Sequence, residues 1–339
     1  MSHARIQGID LLRGVAVLLV MLRHALPDVF AGAGIVGVVM FFSLSGHLIT
    51  GLLLDEVERT GTVRLRRFYA NRALRLVPAL LLLVAVFAAV TLLFDPLRDA
   101  ATLPRSVLLA LTWTGNLGIP GASDAVFHLW TLATEEQFYL LWPAALIVAA
   151  RFGKTRTVTV ALSALGLAAC IATLAWVSPE PDRAYALPTS WVLCFLIGAA
   201  SRVWRAQLLV PRWLPLVALV LLLALSVLPV RGHNYTYLAV GPAVAVLTAA
   251  VMLRWSRVPV VPSLVRPLAV LGTVSYGAYL WNYPLTLWFR PWGAAGALLA
   301  FALTLAAAAA SWWLVERPVA RWRARRSQGA PSARPQARL

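Results

Sequence analysis

Charge is scarce in this chain of 339 residues: 13% of the residues are charged, whereas 60% are hydrophobic. A soluble domain cannot bury so large a share of apolar side chains. The alternation of apolar and polar residues that a membrane β-barrel requires is also lacking. Because only helices and closed barrels satisfy the backbone within lipid, the sequence predicts an all-α fold, a polytopic membrane helix bundle.

Cysteines and acidic residues are few as well. The two cysteines, Cys170 and Cys194, fall within apolar segments, which argues against a disulfide framework. No spacing of His, Asp and Glu resembles a set of metal ligands, so we expect no metal. The 13 acidic residues leave a net charge of +17, but the basic residues cluster in short loops between apolar runs. Basic residues in short loops are typical of a membrane protein whose charges set its topology. We therefore expect these charges to contact a lipid bilayer and no nucleic acid.

Ten apolar runs are long enough to cross a bilayer. They cover residues 9–26, 34–54, 76–94, 129–150, 158–177, 184–201, 213–230, 235–253, 268–289 and 293–315. An eleventh run, 103–117, is shorter and contains Pro104, Arg105 and Asn116. We expect this run to be a re-entrant or interfacial segment.

The positive-inside rule orients these runs. With both termini in the cytoplasm, most of the 30 basic residues lie on the cytoplasmic side. Arginine-rich, lysine-poor usage is typical of a GC-rich bacterium, so we expect a bacterial inner membrane. The N-terminal run has no small-residue cleavage site, which indicates a retained first helix. Residues 1–322 are predicted to form the membrane domain, and 323–339 a basic, disordered cytoplasmic tail.

The first apolar run carries an arginine and a histidine. Arg13 and His24 are eleven residues apart, about three helical turns plus about 20°, so both lie on one stripe of a helix. Ionisable residues inside a membrane segment are costly and point to function.

Polar residues from three predicted helices converge at one depth. His24, Glu135 and Asn282 each come out about 21–22 Å from the cytoplasmic side of a core of about 30 Å. Tyr139 follows Glu135 at i+4 and shares its face, whereas Glu136 is expected to point elsewhere. A purely structural alternative stays open, in which either glutamate pairs with an arginine or a histidine to lock the bundle.

Arginines gather near the predicted cytoplasmic end. Arg72 and Arg75 share a helix face, and Arg13 lies close to the same level. Three guanidiniums suit a phosphate-rich ligand, although ordinary positive-inside anchoring explains Arg72 and Arg75 equally well. Ser45 lies near mid-membrane. The other histidines, His3, His128 and His233, fall at termini or interfaces and are expected to be incidental.

Six stretches of this sequence resemble motifs of the membrane acyltransferase-3 family and occur in the same order as in that family. They are Leu12-Arg13-Gly14 with His24, the run 41–46 (Phe-Phe-Ser-Leu-Ser-Gly), Phe68-Tyr69 with Arg72, Arg75 and Pro78, the run 130–139 (Trp-Thr-Leu-Ala-Thr-Glu-Glu-Gln-Phe-Tyr), Ser275-Tyr276 with Tyr279, Leu280 and Pro284, and Glu316-Arg317-Pro318. The resemblance covers nearly the whole chain. Asn282 stands where the family commonly has histidine; an amide can orient a partner but cannot shuttle a proton.

The resemblance implies an integral membrane O-acyltransferase. It would move an acyl group, expected to be acetyl, from cytoplasmic acyl-CoA to a hydroxyl of a carbohydrate, glycolipid or glycosylated metabolite, such as a cell-surface polysaccharide. It assigns catalysis to His24, Arg13 and Glu135, with His24 as general base or transient acyl carrier and Glu135 setting its tautomer. The phosphates of CoA are expected at Arg13, Arg72 and Arg75. The expected oxyanion- or acceptor-binding residues are Ser45, Tyr139 and Asn282.

A second hypothesis belongs to another class of protein. In a proton-coupled membrane transporter, His24 and Glu135 would form a proton relay and no group would be transferred. Paired broken helices or an inverted repeat would favour it, and the sequence indicates neither.

Overall fold

The computed structural model describes residues 6–328, which form thirteen α-helices joined by short 3₁₀ and π turns and loops, with no β-strand among them. The all-α prediction is confirmed for this part of the chain. The helices are α1 Gln7–Ala25, α2 Ala33–Thr60, α3 Leu65–Phe94, α4 Leu103–Thr112, α5 Trp130–Arg151, α6 Thr155–Val177, α7 Val192–Val203, α8 Leu214–Val227, α9 Gly241–Trp255, α10 Arg266–Thr273, α11 Ser275–Phe289, α12 Gly293–Ser311 and α13 Arg317–Gln328.

Five segments of the described chain are long and apolar enough to cross a membrane, which makes this a multi-pass membrane protein. They are Ala33–Thr60, Leu65–Phe94, Thr155–Val177, Thr236–Trp255 and Ser275–Trp322. The predicted count of ten spans is not confirmed by these segments. Two predicted spans are short: α7 has 12 residues and α8 has 14, about 18 and 21 Å of helix. Before α7, a 3₁₀ turn that begins at a proline, Pro188–Ser190, interrupts the predicted run 184–201.

The predicted short segment 103–117 contains α4, whose ten residues rise about 15 Å, half the thickness of a bilayer core. The helix ends at Trp113, which adopts a left-handed conformation with φ of 52°. Its predicted interfacial or re-entrant placement stays a prediction.

Two helix boundaries differ from the sequence-based expectation. The run 268–289, expected as one span, is interrupted at Val274, which separates α10 from α11. Helix α13 continues to Gln328 and so enters the segment 323–339 that was predicted as a disordered tail. Residues 329–339, and the N-terminal residues 1–5 with His3, lie outside the described residues.

Helices α1 and α2 lie at the centre, and each is crossed closely by another helix at a pair of glycines. A methyl group on Gly14 of α1 would collide with the carbonyl oxygen of Leu268, and one on Gly272 of α10 would collide with that of Asp10. Gly46 of α2 and Gly198 of α7 meet in the same way. Small residues let membrane helices approach to backbone contact, so these glycines fix where α1 and α2 present their polar side chains.

We expect Gly272→Ala to destabilise the protein by about 3 kcal/mol, because the added methyl group meets backbone of α1 that cannot rotate away. Thermal unfolding of the detergent-solubilised chain measures the change. Gly115→Ala is the matched control, because no atom lies within 4 Å of the position of its Cβ. Equal unfolding temperatures for the two variants would contradict the close α1–α10 contact.

Candidate active site

Two cavities inside the bundle are lined by the residues that the sequence singled out, except Asn282, which contacts His24 from behind the cavity wall. The first, here called the glutamate cavity, measures about 150 Å³ and is lined by Arg13, Ser45, Arg72, Arg75, Glu135, Tyr139 and Ser275, among others. The second, here called the histidine cavity, measures about 590 Å³ and is lined by Arg23, His24, Asp28, His128, Arg231, Tyr283 and Arg290, among others. The predicted site is therefore divided between two neighbouring spaces.

The glutamate cavity is organised by Arg72 of α3. The Arg72 Nε donates to both carboxylate oxygens of Glu136, at 2.8 and 3.0 Å, and Nη2 lies 2.6 Å from Glu136 Oε1 and 3.9 Å from Glu135 Oε2. The guanidinium also stacks on the ring of Tyr139, with Cζ 3.4 Å from the ring centroid. These side chains are largely buried, so little water solvates their charges, and the opposite charges compensate one another instead.

Glu135 has a second partner within the same cavity. The hydroxyl of Ser45 on α2 donates to Glu135 Oε1, which links α2 to α5. The expectation that Glu136 points elsewhere is wrong, because both glutamates reach the Arg72 guanidinium. The expectation that Glu135 sets the tautomer of His24 is wrong as well, because Nδ1 of His24 bonds to Asn282 and not to Glu135.

Ser275 and Arg75 also line the glutamate cavity. Ser275 is 1% exposed and begins α11 just after the break at Val274; its Oγ has no hydrogen-bond partner among the described residues. Arg75 is exposed and forms no salt bridge or hydrogen bond within the described chain. The cavity therefore offers a buried hydroxyl and a cation that a ligand can bind.

In the histidine cavity, an amide fixes the orientation of His24. The Nδ1 of His24 lies 2.5 Å from Oδ1 of Asn282, whose Nδ2 lies 3.4 Å from the Thr304 hydroxyl. That hydroxyl donates to the carbonyl of Ala300 at 2.7 Å, so it accepts from the amide and leaves Oδ1 of Asn282 facing the ring. The network assigns the proton to Nδ1 and a lone pair to Nε2, the arrangement that a general base requires.

His128 belongs to this cavity too, although the sequence suggested that it was incidental. Its side chain is 5% exposed, its Nε2 donates to the carbonyl of Leu280 at 3.1 Å, and its Nδ1 has no partner among the described residues. The ring of Tyr283 contacts both histidines, with centroids 5.0 Å from His24 and 5.4 Å from His128. The nearby motif Trp130-Thr131-Leu132 is the signal that could have indicated His128.

The two cavities meet at a shared wall. Val38 of α2 and Tyr279 of α11 line both spaces. The Tyr279 hydroxyl donates to the carbonyl of His128 at 3.0 Å and lies 2.6 Å from the hydroxyl of Thr131, which holds its ring in place. Val38 and Tyr279 therefore form a wall between the two cavities.

Of the three residues predicted to lie at one depth, the structure brings two into contact and places the third in the adjoining cavity. His24 and Asn282 are in direct contact, whereas Glu135 lies in the adjoining cavity beside Ser45 and Arg72. Other groups that line the two cavities received no catalytic or binding role from the sequence. They are Arg23, His128, Ser275, Tyr283 and Arg290.

Comparisons with known proteins agree with the motifs. A family described as "Acyltransferase domain" (Acyl_transf_3) matches residues 6–316. The peptidoglycan O-acetyltransferase OatA of Listeria monocytogenes is 30% identical over 84% of this chain and 50% of its own length. The putative peptidoglycan O-acetyltransferase YrhL of Bacillus subtilis is 31% identical over 85% of this chain and 50% of its own. The O-acetyltransferase OatA of Staphylococcus aureus is 26% identical over 94% of this chain and 58% of its own.

The chain spans about half the length of the curated relatives that it matches. No solved structure gives a significant match. Because the family match covers nearly all of the described residues, this chain belongs to the acyltransferase-3 family of membrane proteins.

Proposed function

We propose that this chain is a membrane O-acyltransferase that moves an acetyl group from acetyl-CoA to a hydroxyl of a carbohydrate or glycosylated acceptor. The observation that carries the proposal is the pairing of His24 with Asn282, which leaves Nε2 available in a cavity that adjoins a second, arginine-lined cavity. The relatives named as O-acetyltransferases support acetyl as the acyl group. Peptidoglycan, which the names of the Listeria and Bacillus relatives give as the acceptor, supports a carbohydrate acceptor here.

The donor is proposed to enter the glutamate cavity. Arg75 and Arg13 would bind the phosphates of CoA, since guanidinium groups bind phosphate in a bidentate manner. Arg72 is held by Glu136 and Tyr139, so in this proposal it orients Glu135 and shapes the cavity instead of binding phosphate. Ser45, Tyr139 and the unpartnered Ser275 would then contact the donor.

The acceptor is proposed to enter the histidine cavity, where Nε2 of His24 removes the proton of its hydroxyl. The hydroxyl oxygen attacks the thioester carbonyl carbon, the C–S bond breaks, and the CoA thiolate takes the proton back from the imidazolium. An acyl-histidine formed first and then passed to the acceptor is the two-step version of the same transfer. Asn282 holds the ring throughout but accepts no proton.

The orientation that fits this chemistry keeps both termini in the cytoplasm. Arg64, Arg66 and Arg67 precede Arg72 and Arg75 on the chain, so the end of the bundle near the glutamate cavity is rich in positive charge. Acyl-CoA is then taken from the cytoplasm, and the acceptor reaches His24 from the opposite face of a bacterial inner membrane.

His24→Ala is expected to abolish acetyl transfer while the protein stays folded, because no other group in the cavity has the same contact with Asn282. Membranes containing the full chain are incubated with acetyl-CoA labelled in the acetyl group, and the label in glycans and small metabolites is measured by mass spectrometry. His47→Asn is the matched control: His47 is also buried but bonds to Ser201 outside both cavities, and transfer should persist. Full transfer by His24→Ala would overturn the mechanism.

Asn282→Leu is expected to slow transfer about 100-fold or more, because a ring without its partner loses the required tautomer. Asn282→Asp keeps an oxygen that accepts from Nδ1 and should retain most of the activity. Initial transfer rates of the two variants, normalised to folded protein, test this directly. Equal impairment of both would indicate that Asn282 serves packing alone.

Val38→Phe is expected to slow transfer about 100-fold, because the larger side chain fills the wall shared by the two cavities and keeps the thioester from His24. Acetyl-CoA binding and thermal unfolding should stay close to those of the unmodified chain. Val38→Ala, which widens the same passage, should retain transfer. Normal rates for Val38→Phe would mean that the acyl group crosses elsewhere.

The transporter hypothesis keeps one supporting observation, the break at Val274, since interrupted helices also form transporter binding sites. Its proposed relay lacks support, because His24 and Glu135 lie in different cavities and bond to other residues. The labelled-donor experiment separates the two: uptake of a solute without covalent label would favour transport.

A further inference from the structure

The histidine cavity contains more positive charge than general-base catalysis needs. Three arginines line it: Arg23 at the end of α1, Arg231 in the loop after α8, and Arg290 after α11. Arg231 is paired with Asp182 at 3.4 Å and lies over the ring of Tyr185, with Cζ 4.3 Å from its centroid. Arg23 and Arg290 form no salt bridge or hydrogen bond within the described chain.

The acidic groups around the cavity do not offset these two arginines locally. Asp28 lines the rim, and Asp124 acts on Tyr283 from the other side, but neither forms an ion pair within the described chain. The charged side chains that act on the His24 ring are Arg23 and Arg290, both cationic. The positive surplus is therefore concentrated beside the proposed reacting group.

The position of Arg23 is built into the helix packing. A methyl group on Gly34 of α2 would lie 3.1 Å from Cγ of Arg23, so the glycine leaves space for the arginine stem. Arg23 is half-buried in the last turn of α1, next to His24 in sequence, and lines the histidine cavity. The packing therefore holds a cation at this wall of the cavity.

The walls of the cavity add a second property. The rings of Tyr185, Tyr283, Phe127 and Trp130 line it together with the arginines, and its volume of about 590 Å³ lies within the range of small-molecule sites. Flat rings cover the apolar faces of sugars, and guanidiniums bind carboxylate or phosphate oxygens. Together they describe a site for an anionic glycan.

We infer that the acceptor carries a carboxylate or a phosphate close to the hydroxyl that receives the acyl group, and that Arg23 and Arg290 bind this anion. That the bound anion belongs to the acceptor rests on the proposed function. That the cavity binds an anion rests on the cavity alone. Carboxylate and phosphate share the chemistry that a guanidinium recognises, so both are tested as probes.

This site has a consequence for the proton transfer. Removal of the hydroxyl proton turns His24 into an imidazolium beside two guanidiniums, an unfavourable gathering of positive charge in a partly buried cavity. A bound anion between the arginines offsets that repulsion. His24 therefore works as a base chiefly when the anionic acceptor is in place, which limits wasteful hydrolysis of the donor by water.

The test is a binding measurement on the full chain in phosphatidylcholine nanodiscs, which present no anionic lipid. One probe pair is trigalacturonate and the neutral trisaccharide made by reducing its carboxyl groups; the other is glucose 6-phosphate and glucose. We expect at least one anionic probe to bind about tenfold or more tighter than its neutral counterpart. Arg23→Gln and Arg290→Gln should each remove most of that preference, and added salt should weaken it.

Arg98→Gln is the matched control, because Arg98 is exposed at the same end of the bundle but lines neither cavity. Equal binding of charged and neutral probes, or a preference that survives both substitutions in the cavity, overturns the inference. A preference for only one of the two anionic probes supports it and identifies the anion as carboxylate or phosphate.

Failure of this inference is distinguishable from failure of the proposed function. Arginine-dependent anion binding without any labelled transfer leaves the anion site standing and removes the transferase. Labelled transfer at equal rates to anionic and neutral acceptors, unchanged in Arg23→Gln, leaves the transferase standing and removes the anion site.

Discussion

The backbone contact between α1 and α10 at Gly14 and Gly272 is the constraint on which both cavities depend. It fixes the rotation and height of α1, the helix that supplies Arg13 to the glutamate cavity and His24 to the histidine cavity. The two side chains lie about 16 Å apart along the helix axis. Rigid packing of small residues thus sets the separation between the two ligand-binding spaces, because helices in backbone contact cannot slide past one another.

The cavities use their charges differently. In the glutamate cavity the cation of Arg72 is neutralised by Glu136 and approached by Glu135, so the protein satisfies this charge itself. In the histidine cavity Arg23 and Arg290 line the space and form no salt bridge within the described chain. An ion pair within the protein stabilises the bundle and orients side chains, whereas two guanidiniums without a salt bridge are available to bind an anionic ligand. The first cavity therefore uses its charges for structure, and the second offers its charges for binding.

Much of this could be predicted from the sequence, and the errors have physical causes. Composition gave the all-α class, and helical rise brought His24 and Asn282 to one level, because rise per residue varies little between helices. The same calculation could not show that Glu135 and His24 lie in different cavities, because the depth of a residue does not reveal the direction in which its side chain leaves the helix. Glu136 seemed to face away by helical periodicity, but the long side chain of Arg72 reaches both glutamates. His128 was missed because it precedes α5 in a short 3₁₀ helix without periodicity.

The wall formed by Val38 and the pinned ring of Tyr279 has a meaning for the cell beyond acyl transfer. An enzyme that draws one substrate from each side of a membrane risks opening a water-filled path through it, along which protons and small ions would run down their gradients. For the proposed transferase, two cavities that end at a common apolar and aromatic partition would give access from both sides while the insulation stays intact. The partition that the thioester would pass in that proposal would therefore also be the seal that preserves the membrane potential.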